Sequence, residues 1–304
     1  MAGLKIVPPL VITDTNLTSS NVAETDYTAW SGATTYNIGD RVILTSTHKI
    51  YESLRASNTN HDPATDTSDP PYWIEVSATN RWKMFDTSNS TQTTNANSIS
   101  VRITPGRVIN SVALLGLTAT SVTITMTDPI DGVVYNKTIT LADTSGIINW
   151  YAYFFTQIKS KSQVIITDMP AFKNAYVDIV ISNPASTAKC AVCIVGTSTE
   201  WGEGIELGAS VGIQDYSRKE KNEFGDYVLI KRSYAKRAKF SLPILNTQID
   251  DFQDFLVENR TNPCLWIGDD NYKSTVIYGF YKDFDIVINY HVISDCNLEI
   301  EGLT

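Results

Sequence analysis

Several groups of residues have types and spacings suited to chemistry. Cys190 and Cys193 form a Cys-x-x-Cys pair, the spacing of zinc and thiol-redox sites. On a β-strand, positions i and i+3 point to opposite faces, so the expected reading is a pair of buried, apolar cysteines. Glu203 and Glu206 flank Gly204 after Trp201, as paired carboxylates beside an aromatic would in glycoside hydrolysis. A glycine-rich connection between domains accounts for them equally well. Asp62, Asp66 and Asp69 share a loop with three prolines and would suit Ca²⁺, but the central Gly and terminal Glu of an EF-hand are absent. His48, His61 and His291 have no ligand partner at helical or hairpin spacing, although a Ser-His-Asp triad assembled across the fold stays open. Gly202-x-Gly204-x3-Gly208 departs from the dinucleotide fingerprint in its last spacing. No complete catalytic signature emerges, and the expectation is a protein that is not an enzyme, with no cofactor and no metal.

The remaining chemistry is electrostatic. Net charge is −9, from 24 Lys and Arg against 33 Asp and Glu, which argues against phosphate binding by the whole chain. Residues 201–240 hold 6 acids and 8 bases, all the bases lying between Arg218 and Lys239, whereas residues 241–304 hold 11 acids and 3 bases. Aromatics interleave with the basic stretch, as in single-strand binders. Val228, Leu229 and Ile230 sit inside it, however, and the charge reverses immediately after. Two solvated faces would explain this, as would head-to-tail complementarity between copies. Arg218, Lys219, Lys231, Arg232, Lys236 and Arg237 are the candidate assembly residues. Nucleic acid is not an expected partner.

These residues must be positioned by strands. Ile99-Val101-Ile103, Val122-Ile124-Met126 and Val177-Ile179-Ile181 alternate with polar neighbours, and Pro105-Gly106, Asp131-Gly132 and Asn183-Pro184 punctuate them. The stretch holding Ile147, Trp150, Tyr151, Phe154 and Ile158 fits a helix face or a strand, and its aromatic content favours strand or loop. Later runs at 227–230, 238–242, 264–267, 275–281, 284–290 and 296–300 read as strands, with Asp269-Asp270-Asn271 as a turn. One helix is predicted near 247–260, capped by Thr247, with Ile249, Phe252, Phe255 and Leu256 on one face and Pro263 beyond its end. The expected class is mainly β: an arm over 1–26, a small β module over 27–78, a jelly-roll-like β-sandwich over 79–200, and a β-barrel-like domain with one helix over 201–304. The apolar run over residues 6–12 is short and broken by Pro8 and Pro9. Neither a signal peptide nor membrane insertion is expected. Four cysteines in 304 residues form no disulfide framework, so synthesis in a reducing compartment is expected.

Two resemblances add to this. Residues 28–76 resemble carbohydrate-binding modules of the chitin-binding 5/12 class, through Trp30, Thr35-Tyr36-Asn37-Ile38-Gly39-Asp40-Arg41-Val42, Ile50-Tyr51-Glu52-Ser53, Pro63 and Tyr72-Trp73. Those modules stack an aromatic pair on sugar after the Tyr-Glu strand; the corresponding residues here are Leu54-Arg55-Ala56-Ser57. The resemblance implies Trp30, Tyr36, Tyr51, Tyr72 and Trp73 as candidate sugar-contacting residues. The rest of the chain resembles bacteriophage tail proteins of the distal tail class, through Gly196, Gly202 and Gly208, Ile213-Gln214-Asp215-Tyr216-Ser217-Arg218-Lys219, Phe224-Gly225, Lys231-Arg232-Ser233-Tyr234-Ala235-Lys236-Arg237 and Asn297-Leu298-Glu299-Ile300-Glu301-Gly302-Leu303. It implies a structural virion protein of the tail tip or baseplate, made in the host bacterial cytoplasm. Its implied partners are a homo-oligomeric ring, other phage tail proteins and host surface polysaccharide. The alternative is a free carbohydrate-binding or receptor-binding protein.

Overall fold

The computed structural model describes residues 3–143, 148–155, 159–206, 208–221, 223–269 and 272–303, with the backbone alone at Ala152 and Lys159. Ile147, Ile158, Asp270 and Asn271 lie outside the described residues. The fold is mainly β, with 50% of residues in strands and 8% helical. The chain forms two compact units: Met1–Leu10 with Ile109–Ser111 and Ile194–Thr304, and Val11–Val108 with Val112–Cys193.

The unit that holds the C-terminal half is built on a seven-stranded antiparallel sheet. Its order is Thr199–Trp201, Leu4–Val7, Cys264–Ile267, Val276–Val287, Ile293–Gly302, Tyr234–Leu245, Ser210–Asp215. The order has two ends, so this sheet is not a closed barrel. The opening residues are not the arm expected over 1–26. Leu4 and Ile6 are fully buried, and Leu4–Val7 pairs on both sides, with Thr199–Trp201 and Cys264–Ile267. Burying those two side chains, together with two ladders of hydrogen bonds, outweighs the fraying expected of a terminus. A further strand, Leu17–Ser20, pairs with Thr93–Ile103 in the other unit.

The predicted helix, α2, spans Ile249–Glu258. Thr247 does not cap it. Asn246–Gln248 forms a 3₁₀ turn instead, and Gln248 precedes the helix with no side-chain cap bond. Phe252 and Leu256 are buried in a cluster with Trp201, Phe240, Trp266 and Leu298. The Trp201 and Phe252 ring centroids lie 5.0 Å apart. Asp250, Asp251, Asp254 and Glu258 are exposed, and Asp250 and Asp251 in the first turn suit the positive end of the helix dipole. The two strands expected over 275–281 and 284–290 are one, Val276–Val287, with a register shift between Tyr281 and Asp283.

In the second unit, a five-stranded antiparallel sheet runs Gly132–Thr140, Ser121–Asp128, Tyr176–Cys190, Thr93–Ile103, Leu17–Ser20. The expected alternation is realised: Val122, Ile124, Met126, Ile179 and Ile181 are fully buried while their sequence neighbours are partly exposed. The sheet's wet face carries a fork-like ion pair, Arg102 to Asp178, at 2.7 and 3.0 Å. The small module over 27–78 belongs to this unit. Its strands Arg41–Leu44, Lys49–Ser53 and Trp73–Ala78 form one sheet, and Thr35–Tyr36 pairs with Asn58–Thr59. Between them the expected turn at 37–40 is closed by Asn37 N–H donating to Asp40 at 2.7 Å, with Gly39 at φ +86°.

The aromatic stretch expected as strand or loop is a short helix, α1, at Trp150–Phe155. The paired segments Ala142–Asp143 and Lys159–Ser160 flank it. Aromatic side chains lose rotamer freedom in a helix, but this cost is a few tenths of a kcal/mol per residue and does not settle so short an element.

Candidate functional site

The module's aromatics are mostly core. Tyr36, Tyr51 and Trp73 are buried together with Val42, and Trp30, Leu44 and Tyr72 pack against them. Tyr36 and Trp73 meet edge to face at 5.2 Å. The Trp73 indole donates to the His61 carbonyl at 2.8 Å, whereas the half-buried Trp30 has its indole nitrogen enclosed without a partner. Tyr72 is covered differently. His61 stacks on it at 3.5 Å, and the Arg55 guanidinium stands 4.3 Å from its ring centroid. A sugar-stacking ring must present a bare face. Tyr36, Tyr51 and Trp73 present none, because their rings fill the module's interior. Tyr27 is the exposed aromatic of this module, and its hydroxyl accepts from Arg41 at 3.3 Å.

The Asp62–Asp69 loop is organised by its own backbone. Asp66 accepts N–H groups from Ser68, Tyr72 and Trp73 at 3.1, 2.6 and 3.3 Å. Burial alone would raise this carboxyl, but the hydrogen bonds from Ser68, Tyr72 and Trp73 outweigh it and hold it below the usual carboxylate range. Asp62 accepts from Ala64 N–H at 2.9 Å. Among the described residues, no group of three or more His, Cys, Asp or Glu is placed to hold a metal ion.

Cys190, Cys193, Cys264 and Cys296 are all buried. Burial pushes the Cys190, Cys264 and Cys296 thiols up to about 12, and Cys193 is also raised well above its ordinary value. These are packing thiols, not nucleophiles. Glu203 and Glu206 are exposed, and their backbone N–H groups donate to Pro243 and Ser241 carbonyls. This pins the glycine-rich segment to Tyr234–Leu245. At Gly202, φ is +72° and a Cβ would lie 2.8 Å from the Pro243 oxygen, so the crossing requires glycine there. Sequence reading missed one motif. Gly208-Ala209-Ser210-Val211-Gly212 spells Gly-x-Ser-x-Gly. A nucleophile elbow needs the serine on a strand-to-helix turn; Ser210 instead opens an exposed edge strand paired with Lys239.

The basic stretch forms a two-stranded ribbon. Ser210–Asp215 pairs with the first half of Tyr234–Leu245, and the pairing continues through Tyr216 N–H to the Ser233 carbonyl at 3.2 Å. Arg218–Lys221 then pairs with Tyr227–Ile230. Every described residue from Ser210 to Tyr234 is exposed except the half-buried Ser217. In the distal part each face sets a cation opposite an apolar side chain: Arg218 faces Ile230, Lys219 faces Leu229 and Lys221 faces Tyr227. Phe224, at the tip, is 91% exposed. Lys219 pairs with Asp215 at 2.7 Å and Arg218 with Glu220 at 2.5 Å. Lys231 and Arg232 have no ion partner among the described residues.

The six candidate assembly residues therefore divide. Arg218, Lys219, Lys231 and Arg232 lie on the ribbon, whereas Lys236 and Arg237 lie at its root. The Lys236 ammonium donates to the Lys273 and Val276 carbonyls at 3.3 and 3.2 Å, and burial lowers its pKa. Lys236 thus ties the root of the ribbon to the Lys273–Val276 backbone. The chain matches no protein-family model, no curated protein and no solved structure.

Proposed function

We propose that the chain is a structural component of a phage tail tip, assembling with copies of itself through the ribbon over residues 210–234. The observation that carries this reading is that ribbon. An isolated two-stranded hairpin is marginal in water, yet Ile213, Tyr227, Leu229 and Phe224 are left exposed on this one. Such a surface is stabilised when another surface covers it. The complement is present on the same chain: the outward face of α2 carries four exposed carboxylates, and residues 241–304 hold 11 acids against 3 bases. The ribbon carries 5 bases against 4 acids, so the complementarity rests on Lys231 and Arg232, which have no ion partner among the described residues. Set against the acidic helix they make a heterologous contact, which forms a ring when its rotation closes.

Light scattering at low and high salt tests it. The expected result is a discrete oligomer that loosens with salt and becomes monomeric in Lys231→Glu/Arg232→Glu. Assembly should return when Asp250→Lys/Asp254→Lys is added. A wild-type monomer at every salt concentration overturns the assembly reading. Mass spectrometry of purified tailed particles tests the virion assignment, and absence of the chain from them overturns it.

A further inference from the structure

Among the described residues, α1 is a second exposed apolar surface, and none of its side chains is charged. Trp150, Tyr151, Tyr153, Phe154 and Phe155 are each between 62% and 79% exposed, and Ile148 is 84% exposed. They contact one another: Tyr151 with Phe155 at 4.7 Å, Tyr153 with Phe154 at 5.3 Å, Trp150 with Tyr153 at 6.1 Å. At about 100° per residue the five rings sweep roughly 200° of the helix circumference. No single groove would cover them. At about 200 Å² for each ring, the bare aromatic surface is roughly 700 Å², above the largest apolar patch usual on a monomer.

The sequence holds no Asp, Glu, Lys, Arg or His between Asp143 and Lys159, and Lys161 follows two residues later. The backbone places Lys159 opposite Asp143, and Lys161 N–H donates to the Leu141 carbonyl at 2.7 Å. The first bases after the uncharged stretch thus follow α1 closely in sequence, on a backbone segment paired back to residues 141–143.

We infer that α1 docks on a lipid bilayer, with its rings among the headgroups and Lys161 near the anionic phosphates. A bilayer surrounds what enters it, which suits rings spread around a helix, and Trp and Tyr belong at the headgroup boundary. Six residues span only about 9 Å, so this is a shallow contact of the kind made by interfacial helices and not a crossing. Reading the sequence for spanning length alone passes over such a helix. The inference does not depend on the assembly reading, since the ribbon and α1 share no residues.

The test is flotation of the full chain with vesicles of phosphatidylcholine, alone or mixed with phosphatidylglycerol. The wild type should float with the mixed vesicles more strongly than with phosphatidylcholine alone. Trp150→Ser/Tyr151→Ser/Phe154→Ser, whose fold is checked by circular dichroism, should bind at least about tenfold more weakly. As a second readout, brominated lipid should quench part of the wild-type tryptophan fluorescence. In Trp150→Phe that part should vanish while flotation persists. No flotation with either vesicle, or equal flotation of the triple variant, overturns the inference. So does lipid-free self-association that the triple variant abolishes while neither protein floats, which assigns α1 to a second copy.

Discussion

Replacing Trp73 and Trp30 by phenylalanine, one at a time, separates two side chains of the same type in the same cluster. Each change deletes similar atoms, and the transfer loss is the larger at Trp73, which is buried where Trp30 is half-buried. The polar contribution has opposite signs. Trp73 loses its 2.8 Å bond to the His61 carbonyl, worth about 1 kcal/mol net. Trp30 loses an enclosed N–H that bonds to nothing, whose desolvation costs about 1–3 kcal/mol. Trp73→Phe should therefore be the less stable of the two by about 2–4 kcal/mol. Urea unfolding followed by far-ultraviolet circular dichroism measures the gap, because tryptophan fluorescence is altered by the substitutions themselves. The midpoint shift multiplied by a common slope gives the energy. Equal midpoints, or Trp30→Phe as the weaker protein, would refute the reasoning. Trp73→Ala should cost about 3–5 kcal/mol, so glycan binding lost in that variant reports unfolding unless the fold is measured alongside.

Asp66→Asn should destabilise the protein at neutral pH by weakening the acceptor that holds Tyr72 and Trp73. Because the Asp66 carboxyl is lowered, its contribution is present above the ordinary value and is lost as pH falls through the folded one. The gap between wild type and variant should thus close below about pH 4 in acid-unfolding curves; a gap independent of pH contradicts this. The four thiols should resist Ellman's reagent at about pH 8 in the native protein and all react once it is unfolded, and rapid native labelling would show that the burial is wrong. Gly279→Ala would set a Cβ 2.0 Å from the Glu301 carbonyl oxygen. With backbone on both sides of the clash, the loss should be about 3–5 kcal/mol by thermal or urea unfolding, and a near-neutral result would displace that strand pairing.

The strands that alternate cleanly were legible in the sequence. Val122-Ile124-Met126 and Val177-Ile179-Ile181 pair with each other as Val122↔Ile181 and Ile124↔Ile179, because a half-buried strand writes its period directly into the chain. Cys264–Ile267 was legible as a short apolar run. Leu4–Val7 was not, since four residues before a Pro-Pro pair carry too little pattern and its partners lie beyond residue 198. The aromatics of residues 27–78 were readable as a module but not as buried or bare, because ring type does not encode which face is covered. At α1 the two periodicities fit the same residues. The charge asymmetry after Arg218 was visible, but that the bases stand on a ribbon with both faces in water follows only from the pairing.

The place of Leu4–Val7 has a consequence for how the protein is made. It lies between Thr199–Trp201 and Cys264–Ile267, so on the ribosome it must wait for most of the chain to emerge before it has neighbours. The unit formed by Val11–Val108 and Val112–Cys193 is synthesised whole in the meantime and can fold first. Until the wait ends, this apolar segment of the nascent chain is bare, and later the fully buried Cys264–Ile267 offers an unpaired edge to any strand nearby. Chains beginning after residue 10 would keep that edge open permanently, and should collect in inclusion bodies where the full chain does not.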